Sequence, residues 1–429
     1  MHMKRQIKYS CVVVLLFFLS ACTREDRIIS SLGGNGSQNK TITYVRSLDE
    51  AKELAIAASY MLGNDTKSSD RVFSDQKCIF GTSTKSYGAS VDTLMYVFNY
   101  EDNEGFVIIN ANKRMDPFVC IVEEGHFFSE RNNGNPAFDQ YIHDVKEIIQ
   151  QSTRFVEDPG PIDSLGGPGL ELYKYKVNRY VGSYKTPLLN TKWGQEDEYG
   201  AYCPNGVSGC VATAMGQIMA YHQYPSSITA SINLGNYSQG QNISMHWYNI
   251  GFHKKTHTGY QSCSDYHSEI SALLRDIGAQ VFMEYGVYGS GASPSMIPSA
   301  FIHYGYSTGS LASANVSTIK TSLDNNRPVL MGGSSSSGGH AWVADGYKDY
   351  LLYEDTYAQA YPQPGYYLVQ SEFIEEVHAL HINWGWDGIC NGYFNFNYYN
   401  SADAISYDNN SGMAYDFDTD ILMIANIHK

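Results

Sequence analysis

The sequence predicts an α+β protein with two folded parts, because helical and strand-like patterns occur in both halves of the chain. At 429 residues the chain is long enough for two domains that each bury a core. In the second half, apolar residues between positions 211 and 219 repeat at helical spacing. Two later runs, residues 341–346 and 377–386, have the composition of strands. The C-terminal part therefore combines helices with strands.

Cys210 lies at the start of the predicted helix and is the first candidate catalytic residue. The unpaired N–H groups and the dipole of a helix N-terminus favour an anion, so a cysteine there is expected to ionise readily. A small buried cysteine with only a packing role is the alternative. The surrounding motifs favour a nucleophile.

A cysteine nucleophile needs a general base, and His340 is the candidate for that role. It follows a Gly- and Ser-rich run, residues 332–339, and begins a predicted strand. The order of Cys210, then a histidine about 130 residues later, then an asparagine downstream is that of papain-like enzymes. Asn383 is the matching asparagine, and such a residue orients the imidazole.

Gln195 is the candidate for stabilising negative charge in the reaction. It lies fifteen residues before Cys210. Acyl transfer builds charge on the substrate carbonyl oxygen, and a side-chain amide beside the N–H of the nucleophile can stabilise that charge. Taken alone, an ordinary surface glutamine would be the simpler interpretation.

Four short segments of the C-terminal half resemble the streptopain family of papain-fold cysteine peptidases from bacteria. The segments are residues 192–195, 209–222, 338–346 and 383–386. They occur in the family's order and at compatible distances, and the resemblance extends from about Thr186 to the C-terminus. One departure is the longer connection between Asp345 and Asn383, which contains the Tyr- and Pro-rich residues 357–367.

The resemblance implies a papain-like α+β peptidase domain over residues 186–429, with a helical part and an antiparallel β part. No metal and no organic cofactor is implied. The implied site residues are Cys210 as nucleophile, His340 as base, Gln195 as oxyanion-hole donor, Asn383 as the residue that orients the imidazole, and Trp384 as a shield over that contact.

The N-terminus has the pattern of a bacterial lipoprotein signal. Positive residues precede an apolar run too short to span a membrane, and residues 19–22 resemble a lipoprotein box. This predicts removal of residues 1–21 and lipid attachment at Cys22; ordinary signal cleavage near Ala21 is the alternative. Residues 23–26 are similar to signals that direct Gram-negative lipoproteins to the outer surface, or form a solvated charge cluster. We expect a lipoprotein of the outer membrane.

Residues 41–152 are predicted to form a small α+β domain after a flexible tether at residues 22–40. A helix from Leu48, a hairpin formed by residues 93–100 and 105–110, and a second helix from Pro136 follow in order. This pattern resembles the inhibitory prodomain of the same family. An independent binding module is the alternative.

Residues 153–185 are predicted to be a cleavable linker. Their first part is rich in Pro and Gly and their last part is basic, a composition that resists regular structure and exposes the backbone to proteases. A cut there would separate the two domains.

Charge and cysteine content restrict the function further. The formal net charge of −15 argues against a nucleic-acid partner. No spacing of the eight cysteines suggests a zinc site. Export would permit disulfides, with Cys78 to Cys120 or two of Cys203, Cys263 and Cys390 as open pairings.

Together these observations predict an exported, lipid-anchored cysteine endopeptidase that is made as a zymogen. Its partners would be protein or peptide substrates, its own prodomain as inhibitor, and the membrane. Two alternatives stay open: a catalytically silent homologue that binds surfaces, and a cysteine acyltransferase that shares thioester chemistry.

Overall fold

The computed structural model describes residues 45–62, 71–81, 93–154, 170–179, 182–251, 255–256, 259–260, 266–286, 289–335, 338–360, 367–398 and 421–429. The predicted signal segment, the lipid-attachment residue Cys22 and the tether lie outside these residues. The helices within them are α1 (Leu48–Leu62), α2 (Pro136–Arg154), α3 (Cys210–His222), α4 (Trp247–Gly251), α5 (His267–Gln280), α6 (Ile297–His303) and α7 (Val316–Asp324). None of these described helices is long and apolar enough to cross a membrane.

The strands of the first half are β1 (Phe73–Phe80), β2 (Thr93–Tyr100), β3 (Phe106–Asn110), β4 (Phe118–Val122), β5 (Leu170–Arg179) and β6 (Tyr184–Lys185). Those of the second half are β7 (Ser227–Thr229), β8 (Asn242–Ser244), β9 (Lys255–Thr256), β10 (Gly259–Tyr260), β11 (Glu284–Gly286), β12 (Gly289–Gly291), β13 (Ala312–Ser313), β14 (Val329–Ser335), β15 (Gly338–Ala360), β16 (Tyr367–Asn383), β17 (Gly392–Asn395) and β18 (Leu422–Ile424). Most belong to one sheet in the order β1-β2-β3-β4-β17-β16-β15-β14-β18-β13, and β5 and β6 both pair with β15.

The N-terminal part places one helix on each face of its strands. Alternate residues of β2 point to opposite faces, so Tyr96 and Phe98 join the core beneath α1. Met95 and Val97 join the core beneath α2. The helix, hairpin and helix that the sequence predicts for this region are therefore confirmed.

Helix α3 is the central element of the C-terminal part. Its residues 211–220 are all buried, which is characteristic of a helix covered on every side. Gly216 allows Leu274 and Trp193 to pack directly against α3, because a Cβ there would lie 2.7 Å from Leu274 Cδ2 and 3.0 Å from Trp193 Cζ3. Close packing thus fixes α3 against α5 and against the segment that contains Gln195.

The two parts share one sheet, because β4 pairs with β17 in antiparallel register. Gly392 is opposite Val122 at this junction, and a Cβ at Gly392 would lie 2.1 Å from the carbonyl oxygen of Ile121. Only glycine fits there. The N-terminal part is therefore bound edge to edge to the strands of the C-terminal part.

Strands β15 and β16 pair along most of their length, from Val343 with Asn383 to Ala358 with Tyr367. Most of the longer connection between Asp345 and Asn383 is therefore strand, and residues 361–366 lie outside the described residues. Strand β5 pairs with residues 351–360 of β15 along its full length. The expectation that residues 153–185 resist regular structure is thus wrong for Leu170–Arg179. The physical reason is non-local: the extended hairpin offers a free strand edge that composition alone does not reveal.

Each cysteine pairing that the sequence left open includes a free cysteine and does not form; Cys78 is disulfide-bonded, but not to Cys120. Cys120, Cys203 and Cys390 are free and buried. Burial raises the pKa of the Cys120 and Cys203 thiols above the usual value, so both are protonated at neutral pH.

Candidate active site

Cys210 is the first residue of α3, as predicted. Gly209 precedes it and forms the turn that leads into the helix. Gly209 has φ 88° and ψ 145°, a conformation that favours glycine. A Cβ at Gly209 would also lie 2.9 Å from Met283 Cε. The turn before the helix therefore depends on a residue without a side chain.

The thiol of Cys210 is surrounded by backbone N–H groups. Burial raises its pKa, and hydrogen bonds from the N–H groups of Ala341, Val211 and Cys210 itself act in the opposite direction without overcoming burial. The helix position alone favoured a thiolate; in this arrangement the thiol stays protonated at neutral pH. The expected and the observed protonation states differ because the thiol is buried, which the sequence pattern does not reveal.

The ring of His340 is held in one tautomer. Its Nε2 atom lies 2.8 Å from the carbonyl oxygen of Trp384. A carbonyl only accepts hydrogen bonds, so Nε2 carries the hydrogen and Nδ1 keeps its lone pair. Burial lowers the pKa of His340 to about 4, although the Trp384 carbonyl opposes that shift. The imidazole is therefore neutral and able to accept a proton at neutral pH.

Cys210 and His340 are brought together through Ala341. This residue follows His340 on β15, and its backbone N–H is close enough to the sulfur of Cys210 to act on the pKa of the thiol. Among the described residues the thiol and the imidazole form no hydrogen bond with each other. The two residues are therefore linked through the backbone at Ala341 and not by a direct hydrogen bond.

Three indole rings surround His340. The centroids of Trp342, Trp384 and Trp386 lie 6.2, 6.3 and 6.3 Å from the centroid of the imidazole. Trp384 is the ring that the sequence motifs singled out, and its shielding role stays a prediction. Trp342 was missed, although its position two residues after His340 on a strand places both on one face.

Gln195 has a hydrogen-bond donor without a partner in the described part of the chain, and its backbone is bonded to the segment that precedes Cys210. Its side chain is buried, and Nε2 has no hydrogen-bond partner among the residues that the structure describes. Its backbone oxygen accepts from the N–H of Ser208 at 2.8 Å. A buried, unpaired amide is costly to fold and is what an oxyanion site requires. The role itself stays a prediction.

Asn383 contacts neighbours other than His340. Its Nδ2 donates to the carbonyl of Thr191 at 2.8 Å and to Oε1 of Gln217 at 3.2 Å. Its Oδ1 accepts from the N–H of Gly385 at 3.1 Å. The imidazole is held instead by the carbonyl of Trp384, one residue later. Orientation of the ring by the Asn383 side chain stays a prediction.

Acidic residues of the N-terminal part meet basic residues near this site. Glu124 pairs with Lys192 at 2.8 Å, and Glu123 lies 3.6 Å from His381 Nε2. Burial opposes charge on His381, but the carboxylates of Asp345 and Glu123 outweigh it and raise the pKa of His381 to about 10. Asp345 also accepts from the N–H of Leu189 at 3.0 Å. Glu123 and Glu124 of the N-terminal part thus contact His381 and Lys192, which lie on the chain segments that contain Trp384 and Gln195.

One cluster in the described part of the chain has residues of the types that bind metals: Asp349, Glu376 and His378. Asp349 is already engaged, because it contacts His378 Nδ1 at 2.6 Å and also binds the ammonium of Lys320. Ser183 donates to the same carboxylate at 2.6 Å. A bound ammonium disfavours a second cation, so we assign no metal to this cluster.

A cysteine at a helix N-terminus, a neutral histidine on the adjoining strand and a buried amide donor are the parts of a cysteine peptidase site. Comparison with known proteins agrees. Residues 193–394 match the Peptidase C10 family, and residues 45–149 match the Spi protease inhibitor family.

Individual relatives support the same assignment. Streptopain of Streptococcus pyogenes is 28% identical over 327 residues, covering 70% of this chain and 73% of streptopain. The thiol protease/hemagglutinin PrtT of Porphyromonas gingivalis is 25% identical over 342 residues, covering 72% of this chain and 34% of PrtT. A solved fragment of Prevotella intermedia prointerpain A has the same fold, with a TM-score of 0.50 and 20% identity, covering 83% of this chain and 99% of the fragment.

The chain is a streptopain-like cysteine endopeptidase with an inhibitor-like prodomain. The family and the α+β fold that the sequence motifs predicted are thereby confirmed. Below, the prodomain is the N-terminal part that contains α1, α2 and β1–β4.

Proposed function

We propose that this protein is an exported zymogen that hydrolyses peptide bonds through Cys210 and His340. The observation that carries the proposal is the arrangement of the two residues. The Trp384 carbonyl binds Nε2 of the imidazole and leaves Nδ1 free to accept a proton, and the Cys210 thiol lies near the backbone N–H of the residue after His340.

In the proposed reaction, Nδ1 of His340 takes the proton of the thiol, and the sulfur of Cys210 attacks the peptide carbonyl carbon. The carbon–nitrogen bond then breaks as His340 returns the proton to the leaving amine, which leaves a thioester on Cys210. Water attacks the thioester with His340 as base, releasing the acid and restoring the thiol. No other reactant is needed.

Gln195 and the N–H of Cys210 would hold the oxyanion in both steps. A donor that is buried and unpaired in the resting state loses no hydrogen bond when the oxyanion forms. The interaction is therefore worth more in the transition state than in the ground state.

Gln195→Ala is expected to lower kcat by roughly a hundredfold with a smaller change in KM, as for the loss of one oxyanion donor. Steady-state hydrolysis of a peptide substrate by the processed enzyme measures this. Gln370→Ala, which removes an exposed glutamine on β16, is the matched control. A kcat equal to that of the control would exclude Gln195 from the site.

The prodomain is proposed to inhibit the enzyme while it is bound. Its strand β4 is paired with β17, and its Glu123 and Glu124 reach His381 and Lys192. These contacts lie on segments that flank Trp384 and Gln195. Release of the prodomain would free these segments to bring the thiol and the imidazole into contact.

Strand β5 restricts where the activating cut can occur. Its backbone pairs with β15, and Lys176 also donates its N–H to the carbonyl of Lys113 and accepts from Arg46. A protease needs an extended, unpaired backbone, so the cut is expected within residues 157–185 but outside the paired segments Leu170–Arg179 and Tyr184–Lys185.

Export and anchoring are part of the proposal and rest on the sequence of the first 26 residues. The positive residues, the short apolar run and the lipoprotein box support lipid attachment at Cys22, with the outer membrane of a Gram-negative cell as destination. Cleavage after the anchor would release the mature enzyme.

Cys22→Ala is expected to abolish lipid attachment, because no other thiol lies at the lipoprotein box. Wild-type protein from its native host should partition into detergent and carry acyl mass on its N-terminal residue, whereas the variant should do neither. Cys11→Ala, within the apolar run, should behave as wild type. An unacylated wild-type protein with a free N-terminus would contradict the proposal.

A further inference from the structure

Gln217 is a buried amide whose contacts join the three chain segments of the active site. It lies on α3, seven residues after Cys210, so both side chains are on the same face of the helix, roughly 10 Å apart along its axis. Its side chain is fully buried. Packing alone does not require an amide at this position.

The first contact reaches the oxyanion segment. Oε1 of Gln217 accepts from the backbone N–H of Trp193 at 3.2 Å. Trp193 lies two residues before Gln195, and its N–H is held at this distance by the helix that carries Cys210. The position of the Gln195 amide relative to the nucleophile thus depends on this bond.

The second contact reaches the segment that holds the imidazole. Gln217 and Asn383 form a reciprocal amide pair: Nε2 donates to Oδ1 at 3.1 Å, and Nδ2 donates to Oε1 at 3.2 Å. The next residue, Trp384, provides the carbonyl that binds His340. Displacement of Asn383 would therefore move the acceptor that fixes the tautomer of the base.

This pairing requires both a donor and an acceptor on one side chain of the length of glutamine. Methionine has the length but neither group, so it would leave the N–H of Trp193 and the amide of Asn383 without these partners. A protonated glutamic acid offers one acceptor and one donor, and burial beside Asn383 Oδ1 favours that neutral form.

We propose that Gln217 is a positioning residue for peptide hydrolysis, which sets the Gln195 segment and the Trp384 carbonyl relative to Cys210. The inference rests on the proposed roles of Cys210, His340 and Gln195. Misplacement of reacting groups by about 1 Å can cost a hundredfold in rate, so loss of this amide is expected to act on the chemical step.

The test compares Gln217→Met and Gln217→Glu in the full-length chain, processed by added wild-type mature enzyme that is then removed. Gln217→Met is expected to lower kcat by roughly 30- to 100-fold with KM within about threefold of wild type. Gln217→Glu is expected to recover at least a tenth of wild-type kcat. The pH profile of Cys210 alkylation by iodoacetamide should shift to higher pH in the methionine variant. The reason is that the imidazole is no longer held in place as the base for the thiol.

Ser322→Ala is the matched control, because Ser322 is a buried polar residue of α7 that joins Arg327 and Asn426 rather than the active-site segments. It is expected to lower thermal stability without changing kcat per folded molecule or the pH profile of Cys210 alkylation. If Gln217→Met behaves like this control, or if Gln217→Glu is no better than Gln217→Met, the positioning role is wrong.

Cys210→Ala measured in parallel separates the two proposals. If that variant stays active, the proposed nucleophile is wrong. If it is inactive while Gln217→Met retains wild-type kcat and alkylation profile, only the role of Gln217 is wrong. Should the methionine variant fail to fold, the glutamate variant decides: kcat below a tenth of wild type in a folded protein would overturn the inference.

Discussion

Cys210→Ala and His340→Ala are each expected to reduce peptide hydrolysis by the processed enzyme by roughly 10⁴-fold or more. The nucleophile and its base act as a unit, so the double variant should be no worse than either single one. Both side chains are needed for the first bond-forming step: without the thiol no thioester forms, and without Nδ1 the thiol keeps its proton.

The controls for this prediction are Cys203→Ala, a buried free thiol, and His303→Ala, an exposed histidine at the end of α6. Neither contacts Cys210 or His340 through any described hydrogen bond. Both should retain wild-type kcat/KM. Activity within tenfold of these controls in either Cys210→Ala or His340→Ala would refute the proposed dyad.

Removal of the prodomain is expected to raise kcat/KM by on the order of 100-fold or more relative to the uncut precursor. A tethered inhibitor has a high effective concentration, which is lost when the tether is cut and the pieces are diluted. Purified precursor should convert to a shorter, more active form, and Cys210→Ala should accumulate uncut if the conversion is autocatalytic.

The cleavage position is a second readout of the same experiment. Sequencing of the mature N-terminus should place the cut outside Leu170–Arg179. Chains that start at Leu170 and at Tyr184 then compare an enzyme with and without β5. If both fold and neither is more active than the full-length precursor, the N-terminal part is a binding module rather than an inhibitor.

Local patterns predicted much of this molecule. The spacing of apolar residues after Cys210 predicted α3, and the strand-like composition of residues 93–100 predicted the strand that buries both of its faces. In each case the neighbours along the chain determine the structure. The family motifs then indicated which polar residues belong to the site.

Features that depend on distant backbone or on burial were not predicted. The acceptor that holds His340 is a main-chain carbonyl, which no side-chain pattern reveals. Strand β5 forms because a distant hairpin offers an edge. The protonated state of Cys210 follows from burial that exceeds the effect of the helix N-terminus. The role proposed for Gln217 depends on partners in two distant segments, at Trp193 and Asn383, which the helical pattern does not reveal.

Labelling of the processed enzyme with an epoxide directed at cysteine peptidases, followed by peptide mass analysis, tests the central claim most directly. We expect one equivalent of label on the peptide that contains Cys210, loss of activity in proportion to labelling, and little labelling in His340→Ala. The buried thiols of Cys203 and Cys390 should stay unmodified. Hydrolytic activity that persists after complete labelling of Cys210, or is lost with labelling of a different cysteine, would contradict the account.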